Sequence, residues 1–318
     1  MRCIRPLKAS HDRHGDITYS NKKAEPGLVG FEFECRKCLP CRLNMAREKA
    51  VRATHEAKMH RGSIFLTLTY DETHLESDRL IYEHFQLFMK SLREKVTRYA
   101  KTKECKDALY IPMMVTGEYG ELNKRPHWHA LLFNYWPADA QNKYTTDLGH
   151  KVYSSEEINK LWKRGAAEFG EVTLDSANYV ARYAAKKLVH GHDQDHDYHP
   201  IHKTSSRRAI GRSWIEKYHK HTFENGFVVL PNGQKSRIPR YYVDWCKEHH
   251  PDLWYRYVTE VRPKIMEKAE LQSRREEISF ISNIMTYTGG ASYPLTRNEV
   301  KERILQSKFK NLQEKLKL

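Results

Sequence analysis

His127 and His129 lie two residues apart and are the side chains of this sequence best suited to hold a metal ion. In a β-strand, residues i and i+2 point to the same face, so both imidazoles can reach one ion while Trp128 turns into the core. A metal that activates a phosphodiester needs an open position, which two or three protein ligands leave free. Glu118 is the first candidate for a third ligand and Glu121 the second. The chain has 18 histidines, so chance is the alternative, but the apolar ALLF that follows favours a strand.

Two tyrosines and a lysine lie at four-residue spacing in a segment with helical composition. Tyr179, Tyr183 and Lys187 share one helix face, because each residue turns the helix by ~100°. A phenol has a pKa near ~10, so its attack on phosphorus needs a phosphate polarised by a metal, and Lys187 would stabilise the developing charge. Such an attack forms a 5′-phosphotyrosyl link and frees a 3′-hydroxyl. Packing in the core is the alternative, since aromatic residues at helical spacing are often buried.

A cluster of cysteines predicts a structural zinc site. The sequence contains a C-x2-C-x2-C motif and a further cysteine near its start, and the four residues are Cys3, Cys35, Cys38 and Cys41. Four thiolates form a closed tetrahedral zinc site that would tie the start of the chain to the first helix. An iron–sulfur cluster and three reduced thiols are the alternatives.

The charge of the chain favours a nucleic-acid partner. Its 318 residues include 55 Lys and Arg against 40 Asp and Glu, a formal net charge of +15. Neutralising phosphates releases condensed counterions, so this surplus favours a polyanion. No segment approaches the ~20 apolar residues of a membrane span, and no secretory signal begins the sequence. The clustered cysteines suit a reducing compartment, so we expect a cytosolic protein without a membrane partner.

A segment that combines cations with aromatic rings is a candidate DNA-contact region. Arg207, Arg208, Arg212 and Trp214 lie close together in the sequence. Proteins that bind single strands combine positive charge with rings on which bases stack. An ordinary basic surface is the alternative.

The elements that must position these residues alternate between strands and helices. The predicted strands are 63–70, 108–120, 127–136 and 170–175, and a hairpin is predicted at 227–238. The predicted helices are 41–60, 79–101, 154–165 and 176–189, the last with Ser176 as its N-cap. Residues 190–203 have the composition of a polar loop. Alternation without Gly-rich phosphate loops predicts an α+β sheet domain instead of a doubly wound nucleotide-binding fold.

Three motifs in order resemble those of the HUH endonucleases: FLTLTY (65–70), RPHWHALLF (125–133) and YVARYAAKK (179–187). Four further segments (CRKCLPCR, HFQLFMKSLR, GEYGE and SSRRAIGRSW) extend the resemblance to the replication initiators of gokushovirus-type microviruses, which are small tailless single-stranded DNA phages. The resemblance covers roughly residues 1–260, and several motifs in order are far more specific than any one of them.

The resemblance implies a central antiparallel sheet flanked by helices, with an N-terminal Cys-rich segment and a basic, partly helical C-terminal region. It implies that His127, His129 and an upstream acid hold Mg²⁺ or Mn²⁺. Tyr179 and Tyr183 would be the nucleophiles and Lys187 an accessory cation. On ligand grounds, imidazoles with one carboxylate prefer Mn²⁺.

The resemblance also implies rolling-circle replication in the host bacterial cytoplasm. The protein would nick the origin in double-stranded replicative-form DNA, stay attached to the 5′ end and rejoin a single-stranded circle. Host helicase and polymerase are the expected partners. The expected organisation is a Cys-rich segment and helix at 1–60, a catalytic domain at 61–190, a DNA-contact region at 191–261 and a charged tail at 262–318.

Two other functions remain alternatives. A non-catalytic protein that binds single-stranded nucleic acid would use the same histidines and tyrosines for packing. A relaxase or a single-tyrosine transposase would share the metal motif, but the pair of tyrosines favours a replication initiator.

Overall fold

The protein is represented by a computed structural model that describes residues 3–12, 17–26, 30–102, 110–120, 124–147, 149–186, 201–288 and 295–315. The chain forms two compact units, one comprising Ala46–Arg262 and the other Met1–Met45 with Pro263–Leu318. The domain boundaries expected after residues 60, 190 and 261 stay predictions.

Strands and helices alternate along the chain. The strands are β1 (Leu7–His11), β2 (Ile17–Thr18), β3 (Phe31–Phe33), β4 (Ser63–Thr69), β5 (Met113–Tyr119), β6 (Pro126–Phe133), β7 (Gln141–Thr145), β8 (Lys151–Ser154), β9 (Ala167–Glu171), β10 (Ile201–Thr204), β11 (Val228–Val229) and β12 (Lys235–Ser236). The helices are α1 (Leu39–Lys58), α2 (Tyr82–Thr102), α3 (Glu156–Trp162), α4 (Leu174–Lys186), α5 (Arg212–Asn225), α6 (Arg240–His249), α7 (Pro251–Arg256), α8 (Arg262–Thr288) and α9 (Arg297–Lys315), with a π-helical turn at Tyr257–Val261.

A central antiparallel sheet organises the larger unit. Its seven described strands follow the order β10-β5-β6-β4-β9-β8-β7, and every neighbouring pair is antiparallel. This sheet and its flanking helices confirm the predicted α+β fold. The pair β7–β8 and the edge strand β10 were not predicted, and β10 replaces the end of the predicted polar loop. The rest of that loop lies outside the described residues.

One face of the sheet carries the main hydrophobic core. Trp128 on β6 is fully buried there with apolar residues of the neighbouring strands and of helices α2 and α3. Its indole N–H donates to the Tyr70 hydroxyl at 3.0 Å. Gly117 lies opposite on β5, where a Cβ would stand 2.5 Å from Trp128 Cζ3. The small residue therefore makes room for the indole, and Trp128 turns into the core as predicted.

The opposite face is covered by α1 and α4. Small side chains let both helices approach the strands closely, and the packed residues are Ala46, Ala50, Ala53, Ala177, Val180, Ala181, Met114, Leu131 and Phe133. Because side chains alternate along a strand, His127 and His129 share this face with Leu131 and Phe133. The apolar half of the face holds α4 in place, and the histidines lie at the other half.

The start of α4 differs from the prediction. The strand expected at 170–175 is β9, which ends at Glu171, and the helix begins at Leu174. Ser176 therefore lies in the first turn and is not the N-cap. Thr173 Oγ1 accepts from the Ser176 amide at 3.1 Å, and Ser176 Oγ accepts from the Thr173 amide at 2.9 Å. This reciprocal pair satisfies amides that have no partner within the helix.

A second core of the larger unit surrounds His55 on α1. The imidazole is 1% exposed and stacks on Trp214 with ring centroids 3.7 Å apart. Its Nδ1 lies 3.0 Å from the Tyr242 hydroxyl and its Nε2 3.2 Å from the Val229 carbonyl oxygen. A neutral ring satisfies both contacts, with Nδ1 accepting and Nε2–H donating. Burial lowers the pKa of His55 to about 4.

This buried histidine predicts a loss of stability in mild acid. An unfolded histidine binds a proton below about pH 6.5, whereas folded His55 stays neutral to about pH 4. Stability therefore falls as the pH falls through this window, by on the order of 3 kcal/mol in total. We expect His55→Gln to flatten the pH dependence of the urea midpoint between pH 7 and 4. His150→Gln, at an exposed site, is the control, and an unchanged slope in His55→Gln would contradict the assignment.

The smaller unit contains the sheet β2-β1-β3 and the helices α8 and α9. Arg297 at the start of α9 donates to the Ser273 carbonyl and to the carboxylates of Glu276 and Glu277 on α8. These bonds join the two helices and confirm a partly helical C-terminal region. In the part of the chain that the structure describes, no helix is long and apolar enough to cross a membrane.

Candidate metal and tyrosine site

Neighbouring strands bring a carboxylate and two imidazoles together. In the β5–β6 register, Glu118 pairs with His127, and Thr116 pairs with His129. Glu118 Oε1 lies 3.2 Å from His127 Nε2 and 2.7 Å from His129 Nε2. Their ligand atoms all lie within 4.8 Å of one another. Two nitrogens and one carboxylate oxygen fit a divalent cation and leave positions for a substrate. Glu121, the reserve ligand, lies outside the described residues.

Contacts behind the imidazoles fix their orientation. His129 Nδ1 lies 3.0 Å from Thr67 Oγ1, and His127 Nδ1 lies 3.2 Å from the carbonyl oxygen of Arg125. If each Nδ1–H donates, each Nε2 keeps its lone pair for the ion, as is usual for histidine ligands. The sequence analysis missed Thr67. Its alternation in FLTLTY indicates a shared face, but the register that places it opposite His129 could not be read from the motif.

The site buries a negative charge. Glu118 is 4% exposed and His129 8% exposed. Burial raises the pKa of Glu118, but hydrogen bonds and charge from both histidines outweigh it and hold this pKa well below its ordinary value. Burial lowers the pKa of His127, but the Glu118 carboxylate outweighs it and the pKa is raised. Burial dominates for His129 and lowers its pKa. An ionised carboxylate beside imidazole nitrogens attracts a cation.

Helix α4 presents Tyr179 to this cluster. The phenol O–H donates to Glu118 Oε1 at 2.8 Å, and its oxygen lies 3.4 Å from His129 Nε2. The ring meets His129 edge to face, with centroids 5.0 Å apart, and also packs against Phe65. The tyrosine hydroxyl thus shares a carboxylate oxygen with the two histidines. The backbone of Tyr183 continues the same helix, but its side chain and all of Lys187 lie outside the described residues.

The predicted DNA-contact residues are placed on and before α5. Arg208 and Arg212 both form ion pairs with Glu216, at 2.8 and 2.7 Å. Arg207 lies over the Tyr110 ring. Trp214 stacks on His55 and Tyr242 in the second core. A DNA role for these four residues stays a prediction.

Removing the hydroxyl behind His129 should weaken the site without changing the packing. Thr67→Val keeps the shape of the side chain but leaves His129 Nδ1–H without its partner, and loss of such a partner typically costs 10–100-fold in metal affinity or activity. We expect about a 10-fold higher Mn²⁺ concentration for half-maximal cleavage of DNA. Thr69→Val on the same strand, whose hydroxyl donates to the Ala166 carbonyl, is the matched control. Equal Mn²⁺ requirements in the two variants would contradict this role.

Comparison with known proteins decides the family. A family model described as replication-associated protein ORF2 matches residues 63–188, which include Glu118, His127, His129 and Tyr179. Replication-associated protein VP4 of Bdellovibrio phage phiMH2K is 59% identical over 318 residues, which is 100% of both chains. The chain belongs to the family of phage replication-associated proteins. This confirms the resemblance seen in the motifs and assigns the chain a role in phage replication.

Two more distant relatives extend the family. Replication-associated protein ORF4 of Chlamydia phage 1 is 35% identical over 232 residues, covering 69% of this chain and 54% of that protein. Replication-associated protein ORF2 of Spiroplasma virus 4 is 28% identical over 296 residues, covering 86% and 89%. No solved structure matches this chain.

Proposed function

We propose that this protein initiates phage DNA replication by nicking a DNA strand with a tyrosine and rejoining it later. The observation that carries the proposal is the contact of the Tyr179 hydroxyl with Glu118, the carboxylate that also contacts both histidines. A tyrosine used only for packing would not need its hydroxyl at the centre of a cluster of metal-binding groups. The site also lies within the part of the chain that matches the replication-associated family.

Glu118, His127 and His129 would hold a divalent cation, Mn²⁺ or Mg²⁺. A bound cation of this kind polarises the scissile phosphate and offsets the charge that develops on its oxygens. Glu118 stays ionised because its pKa is held low, so it serves as an anionic ligand and is a poor proton acceptor. Its Oε1 orients the Tyr179 hydroxyl by accepting the phenolic hydrogen bond.

The proposed nicking step exchanges one phosphoester for another. A bond forms between Tyr179 Oη and phosphorus as the bond from phosphorus to the 3′ oxygen breaks. The phenolic proton passes to water, and the leaving oxygen takes a proton from water to become a free 3′-hydroxyl. The 5′ end stays attached to the protein as a phosphotyrosine, which conserves the bond energy for rejoining.

The second tyrosine would make the cycle complete. Tyr183 lies one helical turn from Tyr179, so a second transfer could follow without release of the DNA. Lys187, one turn further along the sequence, would stabilise negative charge on the phosphate. When a 3′-hydroxyl attacks the phosphotyrosine, the strand closes into a circle and the phenol is regenerated.

The DNA partners follow from charge and role. A net charge of +15 favours binding to phosphates. We infer that the protein binds single-stranded DNA and origin-containing replicative-form DNA inside the host cell, and that the host helicase and polymerase act on the 3′-hydroxyl that it frees. Arg207, Arg208 and Arg212 are candidates for the DNA contact.

Analysis of the cleaved ends tests the proposal. An origin oligonucleotide is incubated with the protein and Mn²⁺, with EDTA in a parallel reaction. We expect Mn²⁺-dependent cleavage, an upstream fragment that a polymerase can extend, and a downstream fragment whose 5′ end is blocked until protease is added. An acceptor strand with a 3′-hydroxyl should then be joined to the downstream fragment. A downstream fragment with a free 5′-phosphate would indicate a hydrolase, and binding without cleavage would indicate a binding protein.

A further inference from the structure

Four cysteine sulfurs converge in the smaller unit, far along the sequence from the histidines. Cys3 precedes β1, Cys35 and Cys38 lie between β3 and α1, and Cys41 is in the first turn of α1. The four sulfurs all lie within 4.8 Å of one another. Cys3 and Cys41 are buried and the other two are half-buried. Cys3 and Cys35 are 32 positions apart in the sequence, so the fold has brought them together.

The sulfur spacing matches a tetrahedral metal site. The Sγ atoms of Cys3 and Cys38 are 3.8 Å apart. With Zn–S bonds of about 2.3 Å, the edge of a tetrahedron of sulfurs is about 3.8 Å. A disulfide needs about 2.05 Å, and the four cysteines are free. A multi-iron cluster places inorganic sulfide between its irons and needs more room than this group of sulfurs encloses.

The backbone around the sulfurs is arranged to support thiolates. The Cys35 amide donates to Cys3 Sγ and the Cys38 amide donates to Cys35 Sγ, each at 3.3 Å. Arg36 adopts a φ of 58°, a left-handed conformation that is uncommon for a residue with a side chain. The turn thereby directs amides toward the sulfurs. Cys38 directly precedes α1, where unpaired amides of the first turn also favour negative charge.

The thiols do not suit a metal-free site. Burial raises the pKa of Cys35, but the amides of Cys38 and Lys37 outweigh it and lower the pKa to about 7. Burial and the neighbouring sulfurs raise the pKa of Cys41 far above its ordinary value. One sulfur is therefore prepared for ionisation while another is prevented from it by its neighbours. A divalent cation at the centre removes this conflict, since it binds all four as thiolates.

We propose that Cys3, Cys35, Cys38 and Cys41 bind one structural Zn²⁺ ion that ties the start of the chain to the start of α1. Four protein ligands leave no open position, so this ion takes no part in DNA cleavage. It closes a loop that holds the short sheet of β1, β2 and β3, which has little core of its own. The proposal is independent of the tyrosine chemistry.

Metal analysis of the full-length protein tests the proposal. The protein is expressed with zinc in the medium, purified without chelators, and then dialysed against EDTA to remove weakly held ions. We expect about one zinc per chain by mass spectrometry of the elements. His127→Ala/His129→Ala should keep that zinc, because it alters only the other candidate site. Cys35→Ser/Cys38→Ser should keep less than about a tenth of it, whereas Cys246→Ser, at a buried cysteine of the larger unit, should keep all of it.

Two measurements on the wild-type chain do not depend on the variants folding. Mercurial titration should release the zinc as four thiols react. Co²⁺ in place of zinc should give the visible absorption of a tetrahedral thiolate site. A folded wild-type protein without zinc, whose four clustered thiols all react freely, would overturn the proposal. Iron with labile sulfide would overturn it as well, in favour of a cluster. Loss of zinc in the histidine variant would show that the ion belongs to the other site.

Discussion

Replacement of both Tyr179 and Tyr183 by phenylalanine is expected to abolish covalent attachment of the protein to DNA. At position 179, phenylalanine keeps the ring that packs against Phe65 and His129, and the double change removes both phenol oxygens that could attack the phosphate. Loss of a nucleophile typically leaves only the rate that binding and electrostatics supply, so cleavage should fall by at least roughly 1,000-fold. The measurement is the yield of DNA-linked protein on a denaturing gel with an origin oligonucleotide and Mn²⁺.

The single variants separate the two tyrosines. Tyr179→Phe and Tyr183→Phe should each leave partial cleavage, because the remaining phenol lies on the same helix face. Tyr255→Phe, at an exposed site, is the control and should form the adduct at the wild-type rate. Circular dichroism and a melting curve show whether the double variant is folded before its activity is judged. Undiminished adduct in the double variant would show that the nucleophile lies elsewhere.

His127→Ala is expected to abolish nicking while the protein stays folded. His127 is more exposed than His129, with 21% of its side chain accessible, and it lies outside the hydrophobic cores, so its removal costs little packing. It supplies one of three ligand atoms, and Glu118 keeps only His129 as an imidazole partner. We expect cleavage at fixed Mn²⁺ to fall by at least about 100-fold.

The Mn²⁺ dependence distinguishes a metal role from a structural one. If His127 is a ligand, raising the Mn²⁺ concentration should recover part of the activity of His127→Ala, with the melting temperature unchanged. His150→Ala, at an exposed histidine, should cleave like the wild type. Full cleavage by His127→Ala at limiting Mn²⁺ would remove the metal role. Glu118→Gln should show the same loss, because a neutral amide is a weaker ligand and no longer offsets the charge of the ion.

Much of the catalytic unit could be predicted because short-range rules determine it. The alternation in FLTLTY and HWHALLF predicts β4 and β6, and the same rule turns Trp128 inward and the histidines outward. The capping Ser155 of α3 followed from the pattern of a serine before acidic residues. Glu118 could be selected as the first candidate because it lies close before the histidine strand.

The contacts that depend on register and tertiary packing could not be predicted. Thr67 contacts His129 only because β4 pairs with β6 in one register, and no local pattern encodes that choice. Ser176 looked like an N-cap by type, but the chain enters the helix two residues earlier, at Leu174. Trp214 was selected for its neighbouring arginines, and its stack on His55 joins residues that are far apart in the sequence.

The central claim is tested most directly by mapping the amino acid that becomes linked to DNA. The purified protein is incubated with Mn²⁺ and DNA known to contain the origin, the adduct is isolated on a denaturing gel, and its DNA-linked peptide is sequenced. We expect the DNA on Tyr179 or Tyr183. Binding to the same DNA without any adduct, or an adduct at a residue outside α4, would contradict the assignment of this tyrosine helix as the nucleophile.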